Sequence, residues 1–196
     1  MEWARWDKGS GRAFECGRAQ RNSTEGCDST MGMRVRKMLT AEAVANWFLA
    51  NVDRPSGDSI THLKLQKLVY YAQAWYLANF NMPLFEEDLE AWAHGPVAPS
   101  LWHKYKDRRW AALDAPTTPP NLTPDQTNFL KAVMDVYGKF EAKFLEELTH
   151  REAPWKTTRG KLPPYEKCDK LIPKELMRDF YGKKIKKSWS EPVSTN

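Results

Sequence analysis

The sequence predicts a compact, single-domain all-α fold with at most a minor β pair. Apolar residues recur at helical spacing in several segments, most of them opened by a recognisable cap, and alternating β-branched runs are nearly absent. A chain of 196 residues with 41% hydrophobic and 12% aromatic residues can also bury a core without disulfide or metal staples.

Thr40 is placed to cap a first helix, with Glu42 in its first turn and Val44, Phe48 and Val52 at four-residue spacing, until Arg54-Pro55-Ser56-Gly57 ends it. Thr61 caps a second, longer helix. Its stripe of Leu65, Leu68, Val69, Ala72, Trp75, Tyr76 and Phe80 is wide enough for a central core helix, and Asn81-Met82-Pro83 stops it. An extended piece through Leu89, Glu90, Ala91 and Trp92 leads to the turn His94-Gly95-Pro96. Pro99-Ser100 opens a short third helix with Leu101, Trp102 and Tyr105, and Pro116, Pro119 and Pro120 mark a linker or surface loop. Thr123-Pro124-Asp125-Gln126 combines an N-cap, Pro at the first helical position and Gln in the capping-box place. Phe129, Leu130, Val133, Met134 and Tyr137 give that fourth helix its face, and Gly138 bends or ends it. Residues 140–150 are amphipathic, with Phe144, Leu145 and Leu148 inward, and a last helix runs from Pro173 with Leu176 and Phe180 four apart.

Residues 1–37 show no period of 2 or 3.6 and are expected to be a disordered leader, or a stretch preceding a true start at Met31, Met33 or Met38. Residues 39–182 are expected to form the domain. Residues 183–196, opening with Lys183-Lys184-Ile185-Lys186-Lys187, are expected to be a basic and polar tail.

Thirty Lys plus Arg against 25 Asp plus Glu gives a net charge of +5, which favours acidic partners in general. A mean hydropathy of -0.69 without any long uncharged apolar run predicts no transmembrane helix and no membrane partner. No signal-peptide core is visible, and three cysteines without a C-x-x-C pair indicate neither a disulfide framework nor a zinc site, so the cytoplasm is the expected compartment. The phosphate-loop, dinucleotide, zincin and hydrolase-elbow motifs are all missing, so the chain is read as a non-enzyme that needs no cofactor. A rival enzyme reading rests on His94, His103 and Glu90 meeting across the Gly95-Pro96 turn as metal ligands, although their spacing matches no ligand pattern. A second rival, a nucleic-acid-binding regulator, rests on the interleaved bases and aromatics of residues 103–110. The acid-rich middle of the chain and the lack of a recognition helix speak against it. Cys168 has lysine neighbours but no base partner and is read as an inert thiol.

The unusual feature is the aromatic residues. Tyr70, Tyr71, Trp75 and Tyr76 point to more than one side of the second helix, because successive residues are about 100° apart, so a single core face does not hold all four. Trp92, Trp102, Trp110 and Trp155 lie near Pro and Gly turns. Partly exposed Trp and Tyr are preferred interface anchors, which makes Tyr70, Trp92, Trp102 and Trp155 the candidate partner-binding residues.

Several motifs in order carry a resemblance. The run from Ile60-Thr61-His62-Leu63-Lys64-Leu65-Gln66-Lys67 through Tyr70-Tyr71-Ala72-Gln73-Ala74-Trp75 comes first. Pro83-Leu84-Phe85, Glu90-Ala91-Trp92-Ala93-His94-Gly95-Pro96-Val97-Ala98-Pro99-Ser100-Leu101 and Thr149-His150-Arg151-Glu152-Ala153-Pro154-Trp155 follow, with residues 172–181 as the closing helix. Together they resemble the Panacea domain family, also called SocA-like or GepA-like phage-associated proteins. The resemblance implies an antitoxin: a cytoplasmic bacterial or prophage protein that binds and neutralises a co-encoded toxin, by direct blocking or as an adaptor delivering the toxin to a protease. It supplies no catalytic residues. The leader has no counterpart in the family, and residues 111–121 form a Pro-rich loop of the kind expected to tune the partner.

Overall fold

The computed structural model describes residues 38–190, with side chains described as far as Ile185. The expectations for the leader and for the last residues of the tail lie outside the described residues. The chain folds into helices α1 (Ala41–Ala50), α2 (His62–Phe80), α3 (Pro99–Tyr105), α4 (Pro124–Tyr137), α5 (Ala142–Arg151), α6 (Ala153–Arg159) and α7 (Lys174–Ser190). Strands β1 (Glu90–Trp92) and β2 (Gly95–Val97) form an antiparallel hairpin between α2 and α3, with Ala91 opposite Pro96. The fold is therefore mostly α with one minor β pair, as the sequence predicts.

The caps sit where their chemistry places them. Thr40 accepts a hydrogen bond from the Ala43 amide at 3.0 Å, Thr61 from Lys64 at 3.4 Å, and Thr123 and Gln126 close a reciprocal capping box at 3.2 and 3.0 Å. Asn81 ends α2 in the left-handed region at φ 55°, ahead of Pro83. Glu152, in extended conformation, separates α5 from α6, and Pro154 opens the first turn of α6. This break falls inside the third motif and is invisible to periodicity, because each helix is only two or three turns long. α7 continues to Ser190, so residues 183–190 prolong a helix where a tail is expected.

α2 is packed by α1, α3, α4, α5, α7 and β2. The four aromatic residues do point to more than one side of α2, but what is corrected is the expectation that this leaves Tyr70 partly exposed: Tyr70, Tyr71 and Tyr76 are all buried and Trp75 is half-buried, because neighbours cover every side of the helix. The same enclosure takes in polar side chains of α2. His62, Gln66, Lys67 and Gln73 are buried beside Leu65, Leu68 and Val69. Buried polar groups need partners, and α2 finds them in the loops around it. Gln73 accepts from the amides of Leu84 (2.8 Å) and Phe85 (3.3 Å) and donates to the Phe85 carbonyl (2.8 Å), binding the segment after α2 as a strand would. Gln66 likewise accepts from the Ala98 amide (2.8 Å) and donates to its carbonyl (3.3 Å), fixing the start of α3.

Candidate functional site

The hairpin is the point where the sequence motifs converge. Lys67 reaches from α2 to donate from Nζ to the Pro96 carbonyl at 3.0 Å. Gly95 lies against it at φ 90°, and a Cβ there would stand 2.6 Å from Thr149 Oγ1 and 2.8 Å from Lys67 Nζ. Only glycine fits both the conformation and the space. Thr149 donates to the Glu146 carbonyl at 2.7 Å. The Glu146 carboxylate is buried, yet it is bonded to Lys143 (2.9 Å) and faces His94 Nδ1 (3.2 Å). Burial pushes its pKa up, but Lys143 and His94 together bring it below the usual carboxylate value. Burial pushes the Lys67 ammonium down to about 7, against the opposing pull of Glu146.

On the other strand of the hairpin, Arg159 of α6 donates to the Ala91 carbonyl at 2.8 Å, and it also donates to the carbonyls of Pro163, Pro164 and Glu166. Its guanidinium lies 4.9 Å from the Trp155 ring centroid, and Trp155 donates from Nε1 to the Trp92 carbonyl at 2.8 Å. His150 stacks on Trp155 at 4.0 Å, and burial lowers its pKa.

A third buried centre ties α2 to α7. Glu152 accepts from Tyr181 (2.5 Å) and Lys184 (2.7 Å), and Tyr181 also reaches the Tyr70 hydroxyl at 3.4 Å. Tyr71 stacks on Tyr137 at 3.9 Å, and its hydroxyl feels the charge of Glu152 without a hydrogen bond of good geometry. Burial, reinforced by the Glu152 charge, raises Tyr70, Tyr71 and Tyr181 well above the usual phenol pKa.

Two of the four candidate anchors are corrected by this geometry. Tyr70 is 0% exposed because α7 covers it through Tyr181, and Trp155 is 5% exposed because it is packed between His150, Arg159 and β1, so neither ring is available as a partly exposed anchor. Trp92 and Trp102 are half-buried and meet edge-to-face at 5.2 Å, with the Lys106 ammonium 5.5 Å from the Trp102 ring. The structure thus gathers Trp92, Trp102 and Trp155 at the hairpin and leaves Tyr70 in the core. Trp92 also donates from Nε1 to Glu90 at 2.6 Å. Glu90 is thereby bound to Trp92 and His94 faces Glu146. Among the described residues no group of three or more His, Cys, Asp or Glu is arranged to hold a metal ion. Cys168 is buried as a free thiol. Among the described residues no helix is long and apolar enough to cross a membrane.

The residues missed by sequence reasoning are the buried polar ones, Lys67, Thr149, Glu152 and Arg159. Lys67, Thr149 and Glu152 lie within the sequence motifs, which marks them without disclosing their burial, and Arg159 lies outside every motif.

Fold and site define a mostly-α scaffold whose motif residues lock a small hairpin and a terminal helix onto one central helix. Residues 65–156 match the family described as antitoxin SocA-like, Panacea domain. In an alignment 134 residues long that covers 60% of this chain and 69% of the relative, the sequence is 31% identical to the protein named Antitoxin SocA of Caulobacter vibrioides (strain NA1000 / CB15N). No solved structure matches. The chain belongs to the SocA-like, Panacea-domain antitoxin family.

Proposed function

We propose that this protein is an antitoxin that works by direct contact, binding a toxin encoded beside it and blocking that toxin. The observation that carries the reading is the Trp92–Trp102 pair. Trp92, on a hairpin that Lys67, Trp155 and Arg159 hold from within, meets Trp102 of α3 at 5.2 Å, and both indoles are half-buried. Rigid, partly exposed Trp residues give up little side-chain entropy when covered, which suits them to anchor a protein partner. The family and the relative's name support the antitoxin role. The working unit in this reading is the helical domain that opens near Leu39, extended to include all of α7, and it acts in the cytoplasm.

The test is co-expression. The neighbouring gene product should arrest growth alone and be tolerated with this protein, and the two should co-purify. Under direct blocking the toxin persists at an undiminished level in rescued cells. A toxin level that falls on rescue, and recovers when a cellular protease is removed, would instead establish delivery to that protease. Trp92→Ala and Trp102→Ala should weaken co-purification while leaving the protein folded, and full rescue by both would refute this docking site.

A further inference from the structure

The segment that follows α3 forms a second feature beside the tryptophan pair. Lys106–Arg108 make a 3-10 turn, after which Arg109 adopts φ 47° and ψ -111°. A side chain other than glycine is strained there, and strain of this kind persists only where the surroundings fix it. The fixing contacts are present. Arg108 bonds Asp114 (2.6 Å) and the Ala112 carbonyl (3.2 Å), and the Leu113 amide donates to the Ile60 carbonyl at 2.8 Å. The clamped turn displays Trp110 at 75% exposure.

The charges are divided in the same way. Of the four bases in residues 104–109, Lys104 is paired with Glu42 and Arg108 with Asp114. Lys106 and Arg109 are exposed and have no carboxylate partner among the described residues, with Asp107 as the one acid between them. The preorganised turn thus carries an exposed indole and two cations without a carboxylate partner, and one of these, Lys106, stands 5.5 Å from the ring of the half-buried Trp102.

The geometry points to this turn as a docking site for an acidic, apolar-studded segment of a protein partner. Charge complementarity selects the occupant: the two cations without carboxylate partners seek carboxylates, and the exposed Trp110 offers apolar area on the same turn. A nucleic acid fits less well, because phosphate-driven binding typically engages about 6–10 phosphates and this turn offers two unpaired cations. This inference rests on the antitoxin reading for the identity of the partner, and it adds the chemistry of the partner's contacting surface.

The experiment uses the full chain and a fluorescein-labelled peptide of glutamates interspersed with leucines, followed by fluorescence anisotropy at low and high salt. A matched lysine peptide and a single-stranded RNA serve as competing probes. The wild type should bind the acidic peptide in a salt-sensitive way and ignore the lysine peptide. Lys106→Glu and Arg109→Glu should each weaken binding about tenfold, and Trp110→Ala should speed dissociation. Lys131→Glu, exposed on α4, should leave binding within about twofold of wild type, since a rim charge acts locally. Equal weakening by all three charge reversals would reduce the effect to net charge and overturn the proposal. So would failure to bind the peptide, or preferential binding of the RNA through the same residues. In cells, Lys106→Glu/Arg109→Glu should lose rescue. If that variant neutralises the neighbouring toxin fully, the acidic-segment inference fails while the antitoxin reading stands. If no neighbouring product is toxic, the antitoxin reading fails and the peptide measurement still decides this one.

Discussion

Lys67 Nζ donates to the Pro96 carbonyl oxygen at 3.0 Å, both of them buried, so a central-helix cation is spent on holding the hairpin. A wholly buried ammonium is costly even when it is bonded.

That cost predicts a pH signature. Burial moves Lys67 from its usual 10.5 down to about 7. Below pH 7 both folded and unfolded chains hold the proton and the folded state bears the whole penalty. Between 7 and 10.5 the unfolded chain binds the proton that the folded chain has released, so this group makes stability rise with pH. Lys67→Met removes the contribution. Urea denaturation should show the variant's stability relative to wild type highest below pH 7 and falling steadily towards pH 10.5. The raised tyrosines titrate in both proteins and cancel from the difference. A constant difference across that window would show that Lys67 is hydrated.

Gly95→Ala should destabilise by about 2 kcal/mol or more, because a left-handed non-glycine residue alone costs about 1–3 kcal/mol. The added Cβ would also meet Thr149 Oγ1 at 2.6 Å. A companion Thr149→Ser leaves the hydroxyl in place and should not relieve the loss. Chemical denaturation of both proteins reads the outcome, and a loss below about 0.5 kcal/mol would mean that the hairpin can relax.

The contrast between these residues and the apolar stripe explains what the sequence discloses. Leu68, Val44 and Leu130 announce their burial by spacing, and Thr40, Thr61 and Thr123 announce helix starts by side-chain chemistry, so the order of helices is legible. Lys67 and Arg159 carry the residue types of a solvated surface, and their burial depends on carbonyls 29 and 68 residues away in the chain. No local pattern encodes such partners. Trp92 and Trp155 sit alike beside turns, yet one is half-exposed and the other enclosed, because α6 packs onto β1 only in three dimensions.

Leu68 is 0% exposed at the centre of α2, and Leu68→Ala should cost about 2–5 kcal/mol as a large-to-small core change. Denaturant unfolding measures it directly. A change of a few tenths would show that the surrounding helices close over the void.

Tyr181→Phe should cost about 1.5–3 kcal/mol, the usual worth of a hydrogen bond to a charged group, because Glu152 would keep Lys184 and lose its 2.5 Å phenol partner. Hydrogen exchange should show the loss concentrated in α7. Uniform loosening of the whole domain would mean that α7 unfolds only with the core.

Three of the four aromatic candidates separate enclosed rings from the half-buried one. Trp155→Ala empties a buried site beside Arg159 and strips the Trp92 carbonyl of its donor, so it should destabilise by about 3–5 kcal/mol and lose rescue by unfolding. Tyr70→Phe removes only a hydroxyl in a 3.4 Å contact and should rescue as wild type does. Trp102→Ala takes away a half-buried ring that meets Trp92 and the exposed His103 at 5.2 Å, so its melting temperature should fall by only a few degrees. If Trp102 anchors the partner, the same change should weaken binding by about 2 kcal/mol, roughly thirtyfold. Titration of the purified partner alongside thermal melts distinguishes the two classes. A Trp102→Ala protein that melts normally and fails to bind assigns the ring to the interface. One that melts normally and binds with wild-type affinity removes Trp102 from it and moves the search to the turn that carries Trp110.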